Sequence, residues 1–259
     1  MNQIGVFDSG VGGLTLVREL KRKLPDESIL FLGDTARLPY GIKSQETITR
    51  YTQRNVEFLE GLGVKAIVIA CNTASALALP HISPTVPYWG VVEPGAERAA
   101  AVSKRCAGVL GTESTILSGA YQQALAKRRP DLEIVSQACP LFVPLVEEGW
   151  LDDSVTRQIA ARYVEPLLAR GVDTVVLGCT HYPLLAPLLR DLFDDGVAFV
   201  DSAEVTAAAV ARALRADDAA AAEPRPRDRF VVTDAAARFE RLAHRILEGD
   251  WGTLELIDL

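Results

Sequence analysis

Two cysteines carry the strongest chemical signal in this chain. Cys71 closes the run Gly63-Val64-Lys65-Ala66-Ile67-Val68-Ile69-Ala70-Cys71-Asn72-Thr73. Cys179 closes Gly171-Val172-Asp173-Thr174-Val175-Val176-Leu177-Gly178-Cys179-Thr180-His181, and the two strings align without a gap 108 residues apart (71 to 179). A lone thiol after an apolar run is ordinarily a small buried hydrophobe. Two thiols at equivalent places in a repeat, each followed by polar residues where packing would favour aliphatics, call for another reason. A thiol on each side of a substrate suits one reaction class: a proton is removed from a carbon next to a carboxylate, and one is returned from the opposite face. Cys106 and Cys139 lack such neighbours and read as structural.

The elements that would position the thiols are short β-branched or apolar runs alternating with longer amphipathic ones. Strands are predicted at Ile4–Phe7, Ile29–Leu32, Ala66–Ala70, Val86–Val91, Gly108–Gly111, Glu133–Ser136, Thr174–Gly178, Ala198–Val200 and Phe230–Val232. Helices are predicted at Leu14–Leu24, Gln45–Leu62, Ala96–Ser103, Ser114–Lys127, Ser154–Ala169, Ala203–Leu214 and Ala235–Leu247. This alternation means an α/β fold with parallel sheet. A second, weaker echo, Gly5-Val6-Phe7-Asp8-Ser9 against Gly108-Val109-Leu110-Gly111-Thr112, makes the chain two pseudo-symmetric parallel-sheet α/β domains. Open parallel sheets bind ligands beyond the carboxyl ends of their strands, so the active site is expected in the cleft between the domains. Each thiol should also precede a helix start, with Pro183 marking the second, and the positive end of a helix favours a thiolate. The Ala-rich segment Ala216–Asp228 reads as a surface loop.

Other polar clusters fall at the same strand ends. Asp8-Ser9-Gly10-Val11-Gly12-Gly13 lacks the spacing of a dinucleotide or phosphate loop. Asp8 either binds a substrate ammonium or supports Cys71, or else caps a helix. Asp34-Thr35-Ala36-Arg37-Leu38-Pro39-Tyr40-Gly41 is an ordinary loop, or a wall presenting Tyr40 and backbone N–H groups to a carboxylate. Glu147, after an apolar run, reads by default as a solvated glutamate.

Composition narrows the partners. With 27 basic against 34 acidic residues the net charge is −7, which disfavours a nucleic-acid surface and favours a small-molecule substrate. Neither a signal peptide nor a membrane span is expected, which places the protein in the cytoplasm. Four well-separated cysteines without a CxxC pair are expected to remain thiols there. No metal is expected, because three histidines without ligand spacing do not make a zinc site.

The strings Val6–Leu14, Asp34–Gly41, Ala70–Ser75 and Leu177–Pro183, in that order, resemble bacterial glutamate racemase. Gly111-Thr112 with Thr115, Ser118 and Tyr121, and Leu145-Val146-Glu147, match further blocks of that family. The resemblance implies cofactor-independent interconversion of L- and D-glutamate, the D-isomer feeding peptidoglycan synthesis, by a homodimer. It implies that Cys71 serves the D-glutamate side with help from Asp8. Cys179 serves the L-glutamate side with help from His181 and Glu147. Substrate contacts would come from Asp8, Ser9, Pro39, Tyr40, Gly41, Asn72, Thr73, Thr112, Thr115, Thr180 and His181. The domains implied are residues 1–97 with 207–259, and 98–206, with a first crossing near Val92-Glu93-Pro94-Gly95. Three other readings remain open: a racemase for aspartate or hydantoins, a two-lobed amino-acid-binding module, and a cysteine hydrolase using Cys179 and His181.

Overall fold

The computed structural model describes residues 3–216, 226–247, 249 and 251–259. Ten strands form two sheets among these residues. The first sheet contains β1 (Ile4–Asp8), β2 (Ile29–Gly33), β3 (Ala66–Ile69) and β4 (Tyr88–Gly90). The second is built of β5 (Cys106–Gly111), β6 (Glu133–Ala138), β7 (Thr174–Gly178) and β8 (Ala198–Asp201). The chain then returns to the first sheet with β9 (Arg229–Val232) and β10 (Thr253–Leu256). Orders are β10-β9-β2-β1-β3-β4 and β6-β5-β7-β8, and every pairing is parallel.

The repeat is therefore structural. The order β2-β1-β3-β4 in one sheet is that of β6-β5-β7-β8 in the other, so the aligned strings Ala66–Ile69 and Thr174–Gly178 hold equivalent places beside β1 and β5. Packing repeats as well. A Cβ on Gly5 would lie 3.2 Å from Val64 Cγ1, and one on Gly108 would lie 3.5 Å from Val172 Cγ1, so the same glycine-against-valine contact occurs in both halves. In each sheet the strand order reverses direction beside the thiol-bearing strand, and that switch point leaves a crevice at the carboxyl ends.

Eleven α-helices among the described residues cover the sheets: α1 (Leu14–Lys23), α2 (Gln45–Gly61), α3 (Asn72–Leu77), α4 (Val92–Val102), α5 (Glu113–Leu117), α6 (Ala120–Arg128), α7 (Phe142–Glu148), α8 (Ser154–Ala169), α9 (Ala186–Arg190), α10 (Ser202–Ala216) and α11 (Ala236–Ile246). Both sheets carry apolar clusters on each face, which is why their central strands read as unbroken hydrophobic runs. Cys106 and Cys139 lie fully buried in the core of the second sheet, as expected for structural cysteines.

Several sequence expectations shift. The single helix expected over Ser114–Lys127 is two, because Gly119 takes φ +68°, a left-handed conformation that stops α5 and starts α6 at a new angle. The crossing expected near Val92–Gly95 falls in the first turn of α4, where Pro94 is tolerated because those N–H groups have no partner inside the helix. The division points 97/98 and 206/207 fall inside α4 and α10, and both helices run through them unbroken. α10 packs on both α1 and α4, so it touches the helical layers of both sheets. β10 and α7 were not foreseen: the first is a mostly exposed four-residue edge, and the second is an apolar run interrupted by Pro144. Of the expected loop Ala216–Asp228, residues 217–225 lie outside the described residues. Among the described residues no helix is long and apolar enough to cross a membrane.

Candidate active site

Cys71 and Cys179 line one cavity of about 300 Å³ between the carboxyl ends of the two sheets. Its walls also include Ser9, Pro39, Tyr40, Gly41, Asn72, Thr73, Thr112, Glu147, Thr180, His181 and Arg238. Both thiols are almost buried, at 5% and 6% exposure, which keeps bulk water from them. Two of the expected contact residues stand behind the wall instead. Asp8 and Thr115 are fully buried and outside the lining.

The surroundings of Cys71 follow from the end of β3. The residue caps α3, with the Ala74 N–H donating to Sγ at 3.5 Å, and its own S–H donates to Ser9 Oγ at 3.6 Å. A thiolate was expected here because of the helix end. The structure reverses that expectation: burial pushes the thiol up to about 12, the Asp8 carboxylate adds to the shift, and the Ala74 and Ser9 contacts only partly offset them. Cys71 is therefore a protonated thiol near neutral pH.

Asp8 ends β1, and its carboxylate accepts the Gly10 N–H at 2.9 Å and the Thr180 hydroxyl at 3.4 Å. Burial raises its pKa, while His181 and these donors pull it down. It does not cap α1, whose N-cap residue is Gly13. Asp8 instead ties the β1 loop to the second half through Thr180. Gly12 makes this approach possible, because a Cβ there would lie 2.3 Å from Thr180 Oγ1 and 2.5 Å from His181 Nδ1.

Around Cys179 the charges are of the opposite sign. His181 Nδ1 stands 3.9 Å from Cys179 Sγ, and His181 Nε2 stands 3.1 Å from Glu147 Oε1. Burial works against an imidazolium, but the contacts with Cys179 and Glu147 outweigh it and raise His181 to about 10. His181 is thus protonated at neutral pH, one nitrogen facing the sulfur and the other facing a carboxylate. Glu147 is not the solvated residue its sequence suggested. Burial raises its pKa, yet His181 and Arg238 bring the net shift below the usual carboxylate value. By the repeat, His181 occupies the place of Thr73 and Gly111 that of Asp8, so each half carries a titratable partner where the other has none.

The remaining contacts join the halves. Thr73, Thr112 and Thr115 form a triangle of hydroxyls with edges of 2.8 to 3.1 Å. The side chain of Asn72 accepts from the Tyr121 hydroxyl at 2.7 Å and donates to Ser202 Oγ at 3.3 Å. Tyr40 does not present its hydroxyl to the cavity. It donates to buried Asp34 and accepts from Asn55 at 3.1 Å, so the hydroxyl is already engaged within the first half. Sequence reasoning missed Arg238, which reaches the cavity from α11 and bonds Glu147; its position in an amphipathic helix 59 residues beyond Cys179 carries no local signal. Among the described residues no group of three or more His, Cys, Asp or Glu is arranged to hold a metal.

Two parallel α/β sheets place one thiol each on a shared cavity at the carboxyl ends of their strands. The chain matches the Asp/Glu/Hydantoin racemase family over residues 8–210, and it belongs to that family. It is 47% identical to the glutamate racemase of Geobacter metallireducens over 260 residues, 99% of this chain and 96% of the relative. The crystal structure of glutamate racemase isoform RacE1 from Bacillus anthracis superposes with a TM-score of 0.94 at 39% identity, covering 100% of this chain and 98% of that one. Glutamate racemase from Francisella tularensis in complex with D-glutamate gives 0.93 at 34% identity, with 99% and 97% covered.

Proposed function

We propose that this chain interconverts L- and D-glutamate without a cofactor, Cys71 and Cys179 acting as the two acid/base groups. The observation that carries the reading is that two thiols from repeated strand ends line one cavity. In the L-to-D direction Cys179, facing the His181 imidazolium, takes the α-proton as the C–H bond breaks. The electron pair moves toward the α-carboxylate, and the Cys71 thiol returns a proton to the opposite face. The reverse direction exchanges the two roles. An α-proton is far less acidic than a thiol, so hydrogen-bond donors fixed before the reaction must stabilise the enolate-like charge in a water-poor site. Asn72, Thr73 and Thr112 supply such donors, together with the backbone N–H groups of Tyr40 and Gly41.

The two sheets with their helices would act as two lobes, with α4 and α10 as the joints, closing on the substrate. D-Glutamate made in a reducing cytoplasm would feed peptidoglycan synthesis, and the four free cysteines suit that compartment. A homodimer is supported by exposed Ile42 and Leu117 on neighbouring segments, which Ser114 joins through the Gly41 and Lys43 carbonyls. The test is incubation with D-glutamate in deuterated water without pyridoxal phosphate or metal. L-Glutamate labelled at the α-carbon is expected, and no exchange would sink the proposal. Ser at either position 71 or 179 should remove nearly all racemisation, because every turnover needs both thiols.

A further inference from the structure

Arg238 is the one arginine or lysine among the described residues that line the thiol cavity, and the reaction as drawn above gives it no part. It belongs to α11, in the helical layer of the first sheet, yet its partners are on α7 of the second half. Arg238 Nη2 lies 3.2 Å from Glu147 Oε2 and 3.2 Å from Glu148 Oε1. The other Glu147 oxygen, Oε1, faces His181 Nε2, whose Nδ1 faces Cys179. The contacts form a chain from Arg238 to Glu147 to His181 to Cys179 that crosses from one half to the other.

Resting on the two-thiol reading, we infer that Arg238 is a positioning residue: it fixes the plane of the Glu147 carboxylate so that this group holds the imidazolium of His181 toward Cys179. A carboxylate gripped at one oxygen alone can turn about its last bond. Gripped at both, it keeps Oε1 in line with the ring. Glu147 is nearly buried, whereas Arg238 is about half exposed, so the cation anchors the chain where the site meets solvent. Arg238 also favours the ionised carboxylate that an imidazolium needs. Its helix is itself pinned. Thr233 Oγ1 donates to Asp34 at 3.2 Å and accepts the Ala36 N–H at 2.9 Å, while the Asp234 N–H donates to Thr35 Oγ1 at 2.8 Å. Asp34 is the carboxylate that holds Tyr40, so the cavity wall and the start of α11 share one anchor. The charged and titratable groups that bear on His181 are Cys179, Glu147 and Asp8, with Arg238 acting through Glu147.

The experiment compares the full-length wild-type chain with Arg238→Ala, Arg238→Lys and, as a control on the same helix, exposed Arg241→Ala. Two readouts are needed: glutamate racemisation in both directions, and an NMR titration of the His181 ring, one of only three histidines. For Arg238→Ala, kcat should fall about 10- to 100-fold, the scale of a misplaced reacting group, with KM little changed. The His181 midpoint should move down, and the alkaline limb of the kcat/KM profile should move with it. Arg238→Lys should recover part of both effects, since it restores the charge on a shorter side chain with a different donor geometry. Arg241→Ala should match wild type. A His181 midpoint equal to wild type in folded Arg238→Ala overturns the inference. So does a rise in KM alone, which would make Arg238 a substrate contact. If the wild type fails to racemise glutamate, the functional reading falls, and the titration still decides whether Arg238 governs His181.

Discussion

Replacing Gly12 by Ala tests whether the two halves must approach as closely as the structure places them. The added methyl would lie 2.3 Å from Thr180 Oγ1 and 2.5 Å from His181 Nδ1. Comfortable contact for such atoms is roughly 3.5 Å, so one side must retreat by about 1 Å. Neither partner can swing away freely. Thr180 donates to Asp8, and His181 is held between Cys179 and Glu147. A displacement of that size at a reacting group costs about 100-fold, or about 2.7 kcal/mol of transition-state stabilisation. Stability should drop by about 1 to 3 kcal/mol, the ordinary cost of overpacking. Since L- and D-glutamate have equal free energy in water, kcat/KM must fall by the same factor in both directions. Circular-dichroism assays in each direction, with urea unfolding, measure both losses. Gly61→Ala is the control: nothing lies within 4 Å of a Cβ there, and helix α2 should gain roughly 0.5 to 1 kcal/mol. A folded Gly12→Ala enzyme with kcat/KM within about threefold of wild type, against the 100-fold expected, would refute the reasoning.

Two further outcomes follow from the charges. Asp8→Asn removes a carboxylate that raises the Cys71 thiol, so the midpoint for alkylation of Cys71, followed against pH by mass spectrometry, should move down from about 12. An unchanged or higher midpoint would mean that Asp8 does not act on Cys71 by charge. His181 titrates at about 10 in the folded chain against 6.5 ordinarily, so its protonated form is favoured by folding. That contribution is complete below pH 6.5 and disappears as pH rises through about 10. The stability gap between wild type and His181→Asn, measured by urea unfolding, should be widest at the acid end of this window and close toward its alkaline end. A gap that widens with pH contradicts the assignment.

Much of this architecture was written locally. Apolar runs bounded by turn residues set the sheet strands, and the aligned strings around Cys71 and Cys179 located both thiols, because a strand end is a local property of the chain. The gapless repeat placed them at equivalent ends, and the parallel order of both sheets follows that equivalence. Only the tertiary structure decided what each thiol experiences. Burial and the nearby Asp8 carboxylate override the helix end at Cys71, and Glu147 becomes a nearly buried partner of His181 rather than a solvated acid. Arg238 enters the site from a distant helix, and Tyr40 gives its hydroxyl to Asp34. Each of these depends on groups far apart in sequence meeting in a low-dielectric space, where charge and hydrogen-bond partners set proton affinity. The sequence determined where the two thiols stand; the fold decided that one is a protonated acid beside a carboxylate and the other faces an imidazolium.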